Sequence, residues 1–355
     1  MTTSETETRD ERSEDGRSQL TDTITPDPHE SGHARRWRKT YGFIGFNKGY
    51  NFPMWLLFGG AMFGFCLARL PFLNINTYAT QTAPGEWYWY KSGHYRIGIM
   101  IHLATVIPAG LLMVWQFVPI IRRKFILLHR INGYIVSTLI FVGTIGGLMI
   151  TRRSFGGTPA TQTAVGLLGI LVFGSLGMAI YNIKRLQIDQ HRAWMLRMTM
   201  YCGTIITMRV IMIIAAQILP LTGEYYTTFS CDELASLMGL EQSRATYPQC
   251  GLPDRTTNGY VAVGPGDFET DMSTITTALQ LGFSAGLWLG LFLHVIGVEI
   301  YLMLTPAESE RLRIVSYEKQ LAAGYKNPGS AGLVVERWGD AAPWQPPQLR
   351  AENKG

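Results

Sequence analysis

Two short stretches of this chain place a histidine–arginine pair after a run of basic residues. IIRRKFILLHR ends at Arg130 and NIKRLQIDQHR ends at Arg192, so His129 and His191 each stand directly before an arginine. An imidazole can bind an iron or transfer a proton near neutral pH, and a neighbouring guanidinium can hold a carboxylate or phosphate. We therefore predict that the two pairs share one site. The similarity of the two stretches could come from an internal duplication. It could also arise by chance, since segments that connect membrane helices on one side of the membrane are often rich in basic residues.

Four more ionisable side chains stand inside or beside apolar sequence, where a charge is costly and usually faces the interior of a helical bundle. They are His102, His294, Arg197 and Arg209. Arg209 needs a partner, for which a haem propionate, a substrate carboxylate or backbone carbonyls would each serve. Its head could instead extend outward to the membrane surface.

Three glycines recur every fourth residue on the way to one of these histidines. Gly282, Gly286 and Gly290 precede His294 at this spacing, which puts them on one face of a helix. Such a stripe allows another helix to approach closely, or it allows a flat group such as a porphyrin to lie against the helix. The sequence leaves both interpretations open.

The elements that position these residues are predicted from the composition, which is 47% hydrophobic and only 16% charged. A soluble domain carries about a quarter charged residues, so the low charge indicates a membrane protein. We predict an all-α polytopic membrane helical bundle with six transmembrane helices. If the two phrases are equivalent, helices two to five form a tandem two-helix repeat. The predicted spans are Phe52–Leu73, Tyr95–Ile120, Leu128–Ile150, Ala164–Ile183, Arg192–Leu219 and Ile275–Leu304.

Basic residues cluster on one side of these spans, and the positive-inside rule makes that side the cytoplasm. Both termini are then cytoplasmic, and the net charge of +5 reflects membrane topology rather than nucleic-acid binding. An outer loop holds Cys231 and Cys250, which an oxidising compartment would allow to form a disulfide. The predicted organisation is a disordered polar tail over 1–40, a transmembrane domain over 41–304 with its outer loop over 220–273, and a cytoplasmic tail over 305–355.

Three stretches, HLATVIPAGLLMVWQF, LHRINGYIV and DQHRAWMLRMTMY, together resemble an uncharacterised family of integral membrane proteins, a domain of unknown function. The resemblance runs from about Tyr95 to Leu219 and implies a fold but no established reaction. A looser likeness to transmembrane b-type cytochromes implies two histidines from different helices on one haem iron. The residues that match the first pattern are His102, Gln116, Phe117, His129, Arg130, Gly133, His191, Arg192, Trp194, Met195 and Arg197.

The first functional hypothesis is a membrane redox protein that holds one haem b on its cytoplasmic side and exchanges electrons with a partner. Two of His129, His191 and His294 would bind the iron. One or more of three arginines would neutralise the propionates, namely Arg130, Arg192 or Arg197.

Two other hypotheses stay open. A membrane enzyme or carrier could grip the head of a lipophilic anionic metabolite with the histidine–arginine pairs, with His102 or Arg209 lining the cavity. The bundle could instead be a non-catalytic assembly or scaffold protein whose tails bind partners. We expect no dedicated metal site, because no cysteine or carboxylate stands at a familiar ligand spacing.

Overall fold

The computed structural model describes residues 31–46, 48–251 and 259–347. Six of its helices are long and apolar enough to cross a membrane, which confirms the predicted polytopic helical bundle. The elements in chain order are α1 (Gly32–Phe43), α2 (Asn51–Arg69), α3 (Ile75–Gln81), α4 (Glu86–Tyr90), α5 (Gly93–Met113), α6 (Pro119–Lys124), α7 (Ile126–Ile150), α8 (Pro159–Lys184), α9 (Ile188–Thr222), β1 (Thr227–Ser230), α10 (Cys231–Met238), α11 (Leu240–Thr246), β2 (Tyr260–Val263), α12 (Met272–Met303), α13 (Pro306–Ala322) and α14 (Val335–Trp338), with 3-10 turns at Leu70–Leu73, Val114–Phe117, Ser154–Gly157 and Pro248–Cys250.

The six membrane helices are α2, α5, α7, α8, α9 and α12, and they run alternately in opposite directions. Their connections therefore fall at two ends of the bundle. We call one the basic end; it holds the connections 118–125 and 185–187 and the chain after 303. The other is the disulfide end, which holds the connections 70–92, 151–158 and 223–271.

Local signals at the disulfide end fix where two of the membrane helices begin. The Thr158 hydroxyl accepts the Thr161 backbone N–H at 3.2 Å, and a proline follows at the first position of α8. The Asp271 carboxylate caps α12 by accepting the backbone N–H groups of Ser273 and Thr274 at 2.8 and 3.1 Å. Such caps satisfy N–H groups that a helix start leaves without partners.

The glycine stripe of α12 is a seam against α9. A Cβ built on Gly282 would lie 2.7 Å from the Met212 carbonyl oxygen, and one on Gly286 would lie 2.6 Å from that of Met208. The backbone of α9 thus fills the space that a planar group would need. Of the two interpretations of this stripe, the structure supports helix packing.

The loop between α9 and α12 folds into a small unit of its own. Strands β1 and β2 pair antiparallel with Thr227 opposite Val263, an addition to the all-helical expectation. Cys231 and Cys250 form the predicted disulfide, with their Cα atoms 5.5 Å apart. Phe229 and its neighbours in the strands and α10 make a compact apolar core beneath it.

The chain after the last membrane helix, which the sequence predicted as a C-terminal tail from residue 305, packs onto the basic end. Gln187, in the connection between α8 and α9, is fully buried and lies at the centre of this contact. Its side-chain nitrogen donates to the Gly329 carbonyl at 3.0 Å, and its oxygen accepts the Gly332 N–H at 3.1 Å. Gln320 of α13 donates to the same oxygen at 3.0 Å. The tail is therefore an ordered part of the bundle up to at least Gly332.

The predicted disordered tail over 1–40 is contradicted over its described part. Residues 1–30 lie outside the described residues, while Gly32–Phe43 forms the helix α1. The sequence GHARRWRKTYGF interleaves basic and aromatic residues and contains no proline, so it can form a helix despite its high charge.

Candidate functional site

Two predicted histidines each bind the backbone of another helix through Nδ1. The His102 ring in α5 contacts the Gly143 carbonyl of α7 at 2.8 Å, and the His191 ring in α9 contacts the Ala179 carbonyl of α8 at 2.9 Å. A carbonyl can only accept, so Nδ1 carries the proton and Nε2 is the free acceptor in both rings. Each histidine therefore bridges two helices and keeps one nitrogen for another partner.

The other two predicted histidines differ from this arrangement. His294 in α12 contacts the Thr207 hydroxyl of α9 through Nε2 at 2.7 Å. His129 has a buried Nδ1 with no hydrogen-bond partner among the described residues. It lies within electrostatic range of His191, Arg122 and Arg130, so the two histidine–arginine pairs are neighbours at the basic end. No group of three His, Cys, Asp or Glu in the described chain could hold a metal ion.

The arginines predicted to hold propionates have different surroundings. Arg130 is exposed. Arg192 donates through one nitrogen to the Thr305 hydroxyl at 3.3 Å, and its other terminal nitrogen is buried without a partner among the described residues. Arg197 is occupied by both oxygens of Glu299, at 2.6 and 2.8 Å. Of the three, Arg192 is the one that keeps a buried donor without a partner among the described residues.

Arg209 lies toward the disulfide end of α9, against two stacked aromatic rings. The Phe155 and Phe283 rings are parallel, with centroids 4.1 Å apart. The guanidinium carbon of Arg209 lies 4.8 Å from the Phe155 centroid and 5.6 Å from that of Phe283. These cation–π contacts hold the side chain in the bundle, so its head does not extend to the membrane surface.

The turn after α7 has an unusual backbone. Phe155 has φ +45°, and Gly156 and Gly157 follow at +78° and +57°, so three successive residues are left-handed. Such a conformation costs a residue with a Cβ about 1–3 kcal/mol. The Phe155 N–H donates at 2.8 Å to the carboxyl of Glu86, which is buried in α4. Glu86 thus holds the turn in place.

Beside this turn lies a cavity of about 170 Å³ at the disulfide end. The Arg153 guanidinium stacks 3.6 Å from the Trp89 ring centroid, and the Trp89 N–H donates to the Glu233 carboxyl at 3.2 Å. Gln280, only 4% exposed, also lines the cavity. Its side-chain amide makes no hydrogen bond to any described residue. A cation, a carboxyl group and an unused amide therefore converge on one space.

Both buried carboxyl groups of this end titrate far from their usual range. Burial raises the pKa of Glu86 to about 7, against the opposing effect of hydrogen bonds from the Phe155 N–H and from Tyr90. Burial likewise raises the pKa of Glu233 to about 7, although the Trp89 N–H and the charge of Arg153 lower it. A carboxyl group that titrates near neutral pH can both donate and accept a proton under physiological conditions.

Sequence reasoning missed this cluster. Glu86 opens the stretch EWYWY, which is typical of an aromatic belt at a membrane interface, and Glu233 stands in a loop of acidic character. The available signals were one acidic residue before an aromatic run, and the pair Gly156–Gly157 directly after Phe155. Neither signal indicates that α4, the turn and α10 meet.

Comparisons with known proteins agree with the architecture. Ava biosynthesis cluster protein G of Aspergillus versicolor is 24% identical over 320 residues, which cover 77% of this chain and 94% of the relative. No solved structure matches the chain. A family model described as Predicted membrane protein (DUF2306) matches residues 99–234, the stretch that carries both histidine–arginine pairs. This chain is therefore a multi-pass membrane protein that matches the family model over residues 99–234, as the resemblance of its motifs predicted.

Proposed function

We propose that the cavity at the disulfide end binds a small anionic metabolite and exchanges a proton with it, as one step in the biosynthesis of a small molecule. The observation that carries this proposal is the unused amide of Gln280. This amide lines the cavity and hydrogen-bonds to no described residue, so a ligand in the cavity could hydrogen-bond to it.

Each side chain around the cavity has a distinct role in this proposal. Arg153 lies over the Trp89 ring, and its buried Nε has no partner among the described residues, so its guanidinium would hold a carboxylate or phosphate of the ligand. Gln280 would orient the ligand through its amide. Glu233 would take up or release the proton, because its raised pKa places both protonation states near neutral pH.

The relative supports the same class of function. The Aspergillus versicolor protein is named as a member of a biosynthesis cluster, and the aligned region covers most of both chains. A membrane enzyme that modifies a metabolite is consistent with that name. Among the initial hypotheses, this proposal develops the membrane enzyme for an anionic metabolite and moves its site from the histidine–arginine pairs to the opposite end.

The test uses purified full-length protein and a panel of small mono- and dicarboxylates, including 2-oxobutyrate. Ligand binding should raise the thermal unfolding temperature of the wild type, and Arg153→Gln and Gln280→Leu should remove this effect. The matched control is Arg244→Gln, which removes an exposed arginine of α11, also at the disulfide end, and should leave binding intact. Equal stabilisation of all four proteins, or of none, would contradict the proposal.

Proton transfer has its own readout. In deuterated water, the wild type should accelerate deuterium incorporation at carbon 3 of 2-oxobutyrate, as followed by proton NMR. Glu233→Gln should bind the acid and lose this acceleration, because an amide cannot accept the proton. If Glu233→Gln exchanges as fast as the wild type, Glu233 is not the base.

A second candidate function is a redox protein with one haem b at the basic end. His191 favours it, because a metal-bound imidazole usually donates its other ring N–H to a carbonyl, as this ring does to Ala179. His129 would supply the second ligand, and the free nitrogen of Arg192 would hold a propionate. The haem would supply one-electron transfer. His294 does not fit as a ligand through Nε2, because that nitrogen contacts Thr207.

A visible spectrum separates this candidate from the first. Haem-bound protein should show a Soret band that His191→Ala removes and His294→Ala retains. Protein purified from haem-supplemented cells without this band would contradict the redox function and leave the cavity proposal unaffected.

A further inference from the structure

A second place in the molecule has polar groups without partners, and it lies within the membrane helices. Arg209 makes no hydrogen bond or ion pair with any described residue. Its Nε is buried without a partner. A guanidinium carries five N–H donors, and two phenyl rings do not satisfy them. Leaving such a cation bare within a bundle is costly, so an unused arginine here indicates a missing anion.

The charges around Arg209 do not balance it. The ionisable groups within electrostatic range are Arg69 from the end of α2, Glu86 from α4, and two tyrosines, Tyr78 and Tyr90. Two arginines thus face one carboxyl group, and Glu86 is only partly ionised at neutral pH because its pKa is raised to about 7. The region therefore carries an excess of positive charge.

The surroundings of this charge are apolar on two sides. Phe155 and Phe283 belong to a buried cluster that covers Arg209 from the disulfide end. On the outer face of α9, the next turns expose Val210, Ile213 and Ile214, which are 57%, 48% and 53% exposed. In a bilayer these side chains face lipid tails. A molecule that reached Arg209 from this side would be apolar along its length and charged at its end.

From these observations we infer that Arg209, with Arg69, forms a membrane-embedded site for the anionic head of a lipophilic molecule, a carboxylate or a phosphate on an apolar chain. The site is distinct from the cavity: Gly156 lines the cavity, whereas the ring of the adjacent Phe155 covers Arg209. It does not depend on the proton-transfer function proposed above. The planar guanidinium can bind either head through two parallel hydrogen bonds.

The test uses full-length protein in nanodiscs of uncharged phosphatidylcholine, with thermal unfolding followed by tryptophan fluorescence. Oleate should raise the unfolding temperature of the wild type by several degrees, and oleyl alcohol of the same chain length should not. Arg209→Gln should weaken oleate binding at least tenfold. The matched control Arg96→Gln removes an exposed arginine at the disulfide end of α5 and should bind oleate like the wild type.

Two further arms complete the design. Dioleoyl phosphatidate tests whether a bilayer lipid is the source of the anion: a shift that depends on Arg209 with phosphatidate alone assigns the site to a phospholipid head, and one with oleate alone assigns it to a free acid. If Arg209→Gln does not fold, Arg209→Lys keeps the charge but not the bidentate geometry and should still weaken binding severalfold. The inference is overturned if neither anion stabilises the wild type. It is also overturned if both anions stabilise the Arg209 variants as much as they stabilise the wild type.

Discussion

Glu86 offers a direct test of the cluster at the disulfide end. Replacing it with glutamine keeps an oxygen that can accept the Phe155 N–H and removes the titratable proton. In the native protein the pKa of Glu86 rises from 4.5 to about 7. Each tenfold change in proton affinity is worth about 1.4 kcal/mol, so the ionised carboxylate costs about 3 kcal/mol relative to the unfolded chain.

The sign of the pH dependence follows from the bound protons. Between pH 4.5 and 7 the native state binds more protons at Glu86 than the unfolded state does, so the free energy of unfolding falls as pH rises. Below this window both states are protonated and the group contributes nothing. Above it the full cost is present. We therefore expect Glu86→Gln to match the wild type at pH 4.5 and to be about 3 kcal/mol more stable at pH 8.

The assay is thermal or denaturant unfolding in detergent across pH 4.5 to 8.5. The pKa of Glu233 is raised by the same mechanism. We therefore expect Glu86→Gln to remove about half of the pH dependence of stability. The double variant with Glu233→Gln should remove most of it. Glu241→Gln, which removes an exposed carboxylate from α11, is the control and should retain the wild-type slope. An unchanged slope in Glu86→Gln would show that this carboxyl group is ionised normally, and the reasoning from burial would fail.

Three other changes test the architecture. Gly286→Ala places a Cβ 2.6 Å from the Met208 carbonyl oxygen and should destabilise the bundle by about 1–3 kcal/mol in a denaturation series. The control Gly297→Ala, on the same helix, meets nothing within 4 Å and should be neutral or slightly stabilising. Equal effects of the two substitutions would argue against the seam. Cys231→Ser opens the disulfide and should lower the stability of the outer loop by about 2–4 kcal/mol, measured as a lower unfolding temperature that reductant reproduces in the wild type. Gln187→Leu leaves several buried polar groups unpaired and should lower the free energy of unfolding by at least about 2 kcal/mol. It should also expose the C-terminal segment to limited proteolysis. A segment that stays resistant would refute the role of Gln187 in docking it.

The fold was largely predictable because its strongest signal is local. A run of about twenty apolar residues has few alternatives to a membrane helix, and the predicted span Leu128–Ile150 differs from the observed Ile126–Ile150 only at its first two residues. The disulfide was also predictable, since two cysteines fell in one polar loop. The docking of the C-terminal segment was not, because it depends on backbone groups of Gly329 and Gly332 that meet Gln187 across the bundle.

The site was harder to predict because a histidine that stands alone in an apolar helix does not by itself indicate function. The sequence singled out His102 and His294, and the structure gives each a neighbouring helix as partner. No sequence signal selects Gln280, an ordinary amide in an apolar helix. In the structure, the Gln280 side chain has no hydrogen-bond partner among the described residues. Whether a polar group is satisfied depends on contacts between distant segments, and spacing along the chain does not encode them.

Polar groups without hydrogen-bond partners therefore indicate the candidate binding site better than the histidines do. At the basic end, the nitrogens left over on His129 and Arg192 suit one prosthetic group. At the disulfide end, a free amide lines an open cavity beside a carboxyl group that titrates near neutral pH. Phe155 in its strained turn separates that cavity from Arg209. Glu86 accepts the N–H of Phe155, so it anchors the turn that stands between the two sites.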